Sequence, residues 1–283
     1  MDKLEFNIYD IPLINEFIDI NEAYLTAKND DRFTVLDLTE PEYHKLSKKW
    51  KHKANYTFRN KHIIFAYDPV LLGDHTSVYF TEAARFKANV RGYDSAFDYY
   101  NKNRRRIDNL ARKYTKEGRT LTNSFEPFAY NKNRYKFWIR EIIYSEIKIP
   151  TITSILQTKI LCQFAQAKTY LDPSAGWGDR VIGASVADVK VYHGFDPNTN
   201  LANAYKEILQ FLGQKEYQIW NRSFLDNDII LTDNYYDLVY TSPPFWDFEV
   251  YSSDEGQSIN EKKDVQEWKD DFYFHTVGRH GRL

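Results

Sequence analysis

An α/β fold is predicted for the second half of this chain, and three observations predict it. From Ile149-Pro150-Thr151 onward, apolar runs of strand length alternate with helical stretches. The first of these strands runs into a glycine turn that opens a helix, and the first two strands both end on an aspartate. Alternation of this kind lays parallel strands side by side through right-handed crossovers, the layer architecture of Rossmann-like sheets. The character of the sequence changes near residue 150, so the 283 residues divide into regions 1–147 and 148–283. Each is long enough to bury a core.

Residues 1 to about 75 carry short apolar runs between charged ones. Phe33-Thr34-Val35-Leu36-Asp37-Leu38 and His62-Ile63-Ile64-Phe65-Ala66-Tyr67 read as strands and Glu40 to Lys53 as a basic helix, together a small α+β unit. His44, His52, His62 and His75 share no metal-ligand spacing. From about 80 to 145 the sequence is mostly helical, with basic and aromatic residues interleaved. Within 101–120 eight basic residues, among them Arg104, Arg105, Arg106, Arg112 and Lys113, stand against Asp108 and Glu117, a local balance of +6. Such density suits the neutralisation of phosphates, and it extends upstream to Arg85, Lys87 and Arg91. The same stretch also reads as a solvated helix face over a buried stripe of Ile107, Leu110 and Ala111. Arg134 to Lys148 is a further amphipathic helix, whose Phe137, Trp138, Ile142 and Ile143 are placed to pack the two regions together.

Beyond residue 150, helices are expected at Ser154–Ala167, Gly178–Ala187 and Asn198–Gly213. Strands are expected at Lys168–Asp172, Val189–Asp196, Tyr217–Arg222 and Tyr236–Thr241. The formal net charge of -2 hides these local asymmetries and does not exclude a polyanionic partner. A single cysteine, Cys162, rules out a disulfide within the chain, and without a Cys/His cluster no structural metal is expected. The N-terminus lacks the basic start and apolar run of a signal peptide, and no apolar stretch approaches about 18 residues. The expectation is a cytoplasmic protein with no membrane partner.

Two stretches carry chemistry. Asp172-Pro173-Ser174-Ala175-Gly176-Trp177-Gly178-Asp179-Arg180 ends the first strand and opens a helix; its two glycines allow close backbone approach and leave N–H groups free to face a ligand. Asp172 is placed to pair with a ligand ammonium. Asp196, about 20 residues on at the end of the second strand, is placed to accept two ribose hydroxyls, although Asp196-Pro197-Asn198-Thr199 also reads as a helix cap. No Gly-Lys-Ser/Thr phosphate loop is present, and Asp172 and Asp179 would repel a pyrophosphate. A cofactor with ribose, adenine and a charged amine but no phosphate fits better, and S-adenosylmethionine is such a molecule. The second stretch, Thr241-Ser242-Pro243-Pro244-Phe245, follows the fourth strand. Ser242 and the Pro243 carbonyl supply acceptors for an exocyclic amine, the prolines fix φ and hold those acceptors still, and Phe245 offers a face for a base taken out of its stack.

On these motifs, residues 149–251 resemble the amino-methyltransferases that act on nucleic-acid bases, whose marks are an Asp/Asn/Ser-Pro-Pro-aromatic loop and an S-adenosylmethionine glycine motif. The resemblance implies a methyltransferase sheet in which Asp172, Ser174, Gly176 and Gly178 line the cofactor, Asp196 holds its ribose and Ser223 borders it. It implies that Pro150 and Thr151 lie near the methionine end, and that Ser242, Pro243, Pro244 and Phe245 bind the target amine. Serine at the first loop position is commonest among enzymes that modify the N4 amine of cytosine, which favours cytosine over the N6 amine of adenine.

The chain departs from the family pattern in two ways. Its glycine motif precedes its proline loop, the reverse of the subclass in which Ser-Pro-Pro-Tyr is common. The family sheet has seven strands, three of them after the loop, whereas past Phe245 this sequence offers one helix at Asp264–Phe274 and a polar tail, His275–Leu283. Either the N-terminal strands complete the sheet or the chain is a truncated form, and the tail favours truncation. The expected function is methyl transfer from S-adenosylmethionine to an exocyclic amine of a DNA base, with the basic segment 85–119 positioning the phosphates. The alternatives are an RNA or protein-amide acceptor, or a catalytically inactive module that binds DNA and cofactor.

Overall fold

A computed structural model of the chain describes residues 11–31, 33–38, 52–58, 61–67, 71–90, 92–119, 133–226, 228–229, 231–244, 246, 264–274 and 276. The architecture is mixed α/β, with two separate sheets.

The first sheet is antiparallel: β1 (Phe33–Leu38), β2 (His52–Phe58) and β3 (Lys61–Tyr67) lie in the order β1-β3-β2, with Val35 opposite Phe65 and Tyr56 opposite Ile63. Two of these strands are legible in the sequence and β2 is not. His52 and Lys53, expected to close a basic helix from Glu40, instead begin β2; the rest of that expected helix, up to residue 51, lies outside the described residues. The reason is pairing: Ala54, Tyr56 and Phe58 recur at the period of a strand, and β2 stands in antiparallel register with β3 along all seven of its residues.

Among the described residues four α-helices belong to the first half. α1 (Ile20–Asn29) starts where the Asp19 carboxylate accepts from the backbone N–H groups of Asn21 and Glu22, at 2.8 and 3.2 Å. α2 (Leu71–Lys87) follows the first sheet, and α3 (Ala96–Lys116) and α4 (Arg134–Glu146) start on the caps Ser95 and Asn133. α3 and α4 pack together, with Tyr100, Ile107 and Ala111 buried against Ile139, Ile142 and Ile143.

The second sheet is parallel, as the alternation predicts. β4 (Thr169–Asp172), β5 (Val191–Phe195), β6 (Tyr217–Trp220) and β7 (Leu238–Val239) lie in the order β6-β5-β4-β7. The expected fourth strand is thus beside the first, shortened to two residues. α5 (Ile155–Phe164), α6 (Asp179–Val186) and α7 (Ala202–Leu212) fall within the predicted helices. One face of the sheet carries a row of buried tyrosines, Tyr170, Tyr192 and Tyr217, packed with Val181, Ile182 and Ile208 of α6 and α7. The other face sets Leu171 and Phe195 against Phe224, Trp220, Tyr236 and Val239. Among the described residues between β6 and β7 there is no helix, and Phe224, Leu225, Ile229, Leu231 and Tyr236 of that connection cover this face.

α1 and α2 pack on the layer formed by α6 and α7. Tyr24 and Phe80 both meet the Phe211 ring, at 5.5 and 5.6 Å between centroids, and α2 also touches α5. α8 (Val265–Trp268) runs into a π-helical turn, Lys269–Tyr273, within the helix expected at 264–274, and its Trp268 meets Trp246 edge-on. Among the described residues no helix is long and apolar enough to cross a membrane.

Candidate functional site

The strand order reverses between β4 and β7: the chain steps outward from β4 through β5 to β6 and then returns to the far side of β4. The crevice beyond the carboxyl ends of such a pair is where open α/β sheets hold ligands. Both chemistry-bearing stretches end up there. The glycine turn follows β4, and the proline loop follows β7.

Asp172 closes β4 with none of its surface exposed. Arg180 Nε donates to its Oδ2 at 2.8 Å, and the Tyr192 hydroxyl donates to the same oxygen at 2.7 Å. Its Oδ1 accepts from Thr241 Oγ1 at 2.9 Å and from Ser174 N at 3.3 Å. The carboxylate expected to meet a ligand ammonium is therefore filled by the chain's own donors. Arg180, only 3% exposed, takes the place assigned to the ligand. The remaining nitrogens of this guanidinium donate to the Ser174 carbonyl and to Thr153 Oγ1. Asp179 lies on the same guanidinium at 3.9 Å and accepts from Thr153 N at 3.1 Å. Burial raises the Asp179 pKa, and Arg180 opposes the rise.

The turn itself needs its glycines. Gly176 and Gly178 sit at φ +60° and +78°, and a Cβ on Gly178 would stand 2.6 Å from Ile208 Cδ1 on α7. Its N–H groups close on the protein: Ala175 N on the Phe195 carbonyl at 2.8 Å, Gly176 N on Asp196 Oδ2 at 2.8 Å, and Gly178 N on the Ala175 carbonyl at 3.4 Å. The expectation that these donors face a ligand is corrected by that pairing. Gly176 still presents its carbonyl to the Tyr205 hydroxyl at 2.5 Å, which fixes the turn against α7.

Asp196 stands one residue past β5. Its Oδ2 accepts from Gly176 and its Oδ1 from Asn198 N at 3.0 Å, so each oxygen keeps a lone pair. Both roles weighed for it in the sequence are compatible with this geometry, since it orders the chain after β5 and retains two acceptor positions. Burial pushes its pKa up to about 6, against the two backbone N–H groups that favour the charged form. Beside it, Trp220 stacks on Phe195 at 4.8 Å, and Asn221 Nδ2 donates to the carbonyls of Asp196 and Asn198. Ser223, just beyond, is half-buried and accepts from Leu225 N at 3.2 Å.

The proline loop starts on the same frame. Tyr240 N donates to the Leu171 carbonyl at 3.2 Å, and Thr241 then reaches Asp172. Ser242 is exposed and Pro243 and Pro244 are half-buried, whereas Phe245 lies outside the described residues. Pro150 is buried and Thr151 exposed; two residues on, Thr153 contacts Asp179 and Arg180. The structure thus gathers 150–153, the glycine turn, Asp196 and the start of the proline loop around one buried cluster of three aspartates and an arginine.

The basic residues divide. Arg106 binds Glu146 through both terminal nitrogens, Lys113 lies 3.8 Å from Glu117, and Arg104 and Arg112 lie over the Tyr100 and Tyr135 rings. Arg105, Arg112, Lys113 and Lys116 remain exposed on α3. Arg85, read as the first residue of the phosphate-binding segment, is only 5% exposed, and the Pro150 carbonyl holds it in the interior.

Sequence reasoning missed Arg180, Thr153 and Arg85 as parts of this site. Arg85 carried a signal, since it shares a helix face with Glu82 and lies next to the buried Phe86. Arg180 carried none, because its partner lies across the glycine turn. No protein-family model, curated protein or solved structure matches the chain.

Proposed function

We propose that this chain is an S-adenosylmethionine-dependent methyltransferase acting on an exocyclic amine of a DNA base, the N4 amine of cytosine before the N6 amine of adenine. The observation that carries this reading is the 2.9 Å hydrogen bond from Thr241 to Asp172, which joins the proline loop to the glycine turn at the reversal of strand order. The charge of the site supports it. Asp172, Asp179 and Asp196 outnumber Arg180, so the interior field favours a cation and opposes a pyrophosphate. Asp196, with a lone pair left on each oxygen, suits a ribose diol. Asp172 acts on the frame rather than on the ligand.

When bound, the cofactor would supply an electrophilic methyl group on a sulfonium, the S–CH3 bond breaking as the N–CH3 bond forms to leave a thioether, and the methylated amine would lose its extra proton to solvent. The chain's own residues make the amine a nucleophile. The Ser242 hydroxyl and the Pro243 carbonyl accept its hydrogens and draw them out of the ring plane, which returns the lone pair to nitrogen. Pro243 and Pro244 fix φ, so these acceptors need no reorganisation. Phe245 stacks on the extruded base. Arg105, Arg112 and Lys113, exposed on α3, meet the phosphates, while Arg104 and Arg106 are steadied by Tyr100 and Glu146.

Incubation with methyl-labelled S-adenosylmethionine and mixed-sequence DNA tests the reading. Label is expected in DNA, with a loss on the order of 10² to 10³ in kcat for Ser242→Ala. Transfer indifferent to that substitution removes Ser242 from the mechanism. Transfer to RNA or protein in preference to DNA, at matched salt, replaces the acceptor.

A further inference from the structure

The segment 150–153 is hung at both ends. At its far end Thr153 is held by Asp179 and Arg180, inside the frame just described. At its near end the Pro150 carbonyl accepts two N–H groups from one side chain, Arg85 Nε at 3.0 Å and Nη2 at 2.5 Å. Pro150 has no N–H of its own, so this carbonyl is its only backbone hydrogen-bonding group.

Arg85 is in turn held by a buried network from the N-terminal helices. Its Nη1 lies 3.5 Å from the Tyr144 hydroxyl, which donates to Glu82 Oε1 at 2.6 Å. Arg140 donates to the same oxygen through Nε and Nη2, at 3.0 and 2.7 Å, and Ile14 N donates to the other oxygen. Glu82, Arg85 and Arg140 are each at most 5% exposed. Glu141 balances the second guanidinium at 2.6 Å, so the cluster is neutral, with two arginines and two glutamates. A neutral, buried cluster of this kind holds one geometry, because any displaced member leaves a buried charge unpaired.

We propose that Arg85 is a positioning residue for the cofactor: its grip on the Pro150 carbonyl fixes segment 150–153 against the glycine turn, so that helices α2 and α4 set cofactor affinity from outside the sheet. The proposal rests on the methyltransferase reading for the identity of the ligand, but the fixing of the segment is measurable without any ligand.

The experiment compares Arg85→Met, which keeps the length of the stem and removes the donors, with Arg85→Lys, which restores one donor. Ile143→Val serves as control, since it trims the core beside the network without touching the carbonyl. Hydrogen exchange of amides 151–155 in the cofactor-free protein is expected to quicken at least tenfold in Arg85→Met, less in Arg85→Lys, and not in Ile143→Val. The dissociation constant for S-adenosylmethionine by calorimetry is expected to rise about tenfold in Arg85→Met, the loss of a charged hydrogen bond. Unchanged exchange at 151–155 in folded Arg85→Met overturns the proposal, as does equal quickening in Ile143→Val. Should Arg85→Met not fold, Arg85→Lys decides by the same two measurements. Wild-type protein that binds no S-adenosylmethionine defeats the methyltransferase reading and the cofactor role of Arg85 together, while the exchange data still report whether Arg85 holds the segment.

Discussion

Asp172 changes meaning between sequence and structure. At the end of a strand and before a glycine turn it reads as a ligand contact, yet four donors of the chain already fill it. The consequence is energetic. Asp172→Asn leaves Arg180 buried without its main counter-charge, and breaking such a pair costs about 3–5 kcal/mol. Urea unfolding is therefore expected to show the larger loss for Asp172→Asn and a smaller one, about 1.5–3 kcal/mol, for Thr241→Val, which gives up one donor to the same carboxylate. Equal losses would mean that Arg180 finds another partner. The sequence shows that Asp172 and Asp196 belong to one site, through their strand-end positions. It does not show which donors they meet, because Arg180, Tyr192 and Thr241 are brought to Asp172 by the turn, the neighbouring strand and a loop 69 residues away.

At the scale of elements, the crossing of α5 and α6 is set by a missing side chain. A Cβ on Gly183 would meet Thr158 Cβ at 2.5 Å and the Ile155 carbonyl at 3.0 Å. Neither is the tip of a flexible side chain, so Gly183→Ala must separate the helices. A loss of about 1–3 kcal/mol is expected by chemical denaturation, despite the better helix propensity of alanine. The elements from 154 to 220 are legible because apolar runs, glycines and caps agree there. β7 is legible in place but not in length, since Leu238 and Val239 alone stand in strand register with β4, while Asp237 N and Tyr240 N donate to the Thr169 and Leu171 carbonyls at its two ends. β2 and α1 are not legible: β2 is dotted with His52, Lys53 and Asn55, and α1 is a short helix whose apolar Ile20, Ala23, Leu25 and Ala27 alternate with Asn21, Glu22 and Lys28. Tertiary pairing, which a local pattern does not contain, decides both.

For the molecule as a whole, carboxylates raised by burial govern the response to pH: Asp179 and Glu141, and most of all Asp74 and Asp196. Asp74, on α2, accepts from Ile155 N and Ser154 Oγ at the start of α5, and burial pushes its pKa up to about 6. Asp196 is raised to about 6 by the same cause. The folded chain therefore binds more protons than the unfolded one between about pH 4 and 6, so stability rises as pH falls through that window. Asp74 and Asp196 each contribute about 1 kcal/mol between pH 7 and 5. His193, whose pKa burial lowers, works in the opposite direction, and Glu146, Asp228 and Asp237, all lowered, withdraw stability in stronger acid. Thermal melting is expected to be higher at pH 5 than at pH 7, and the difference to shrink in Asp74→Asn. A melting temperature that falls steadily from pH 7 to 5 would contradict this balance. The pairing of β7 with β4 has a consequence in time as well. At about 5–20 residues per second, β4 leaves the ribosome several seconds before β7 is made. During that interval Tyr170 and Leu171 lack the partner strand that covers them in the folded chain, and an unpaired edge is a template for wrong pairing.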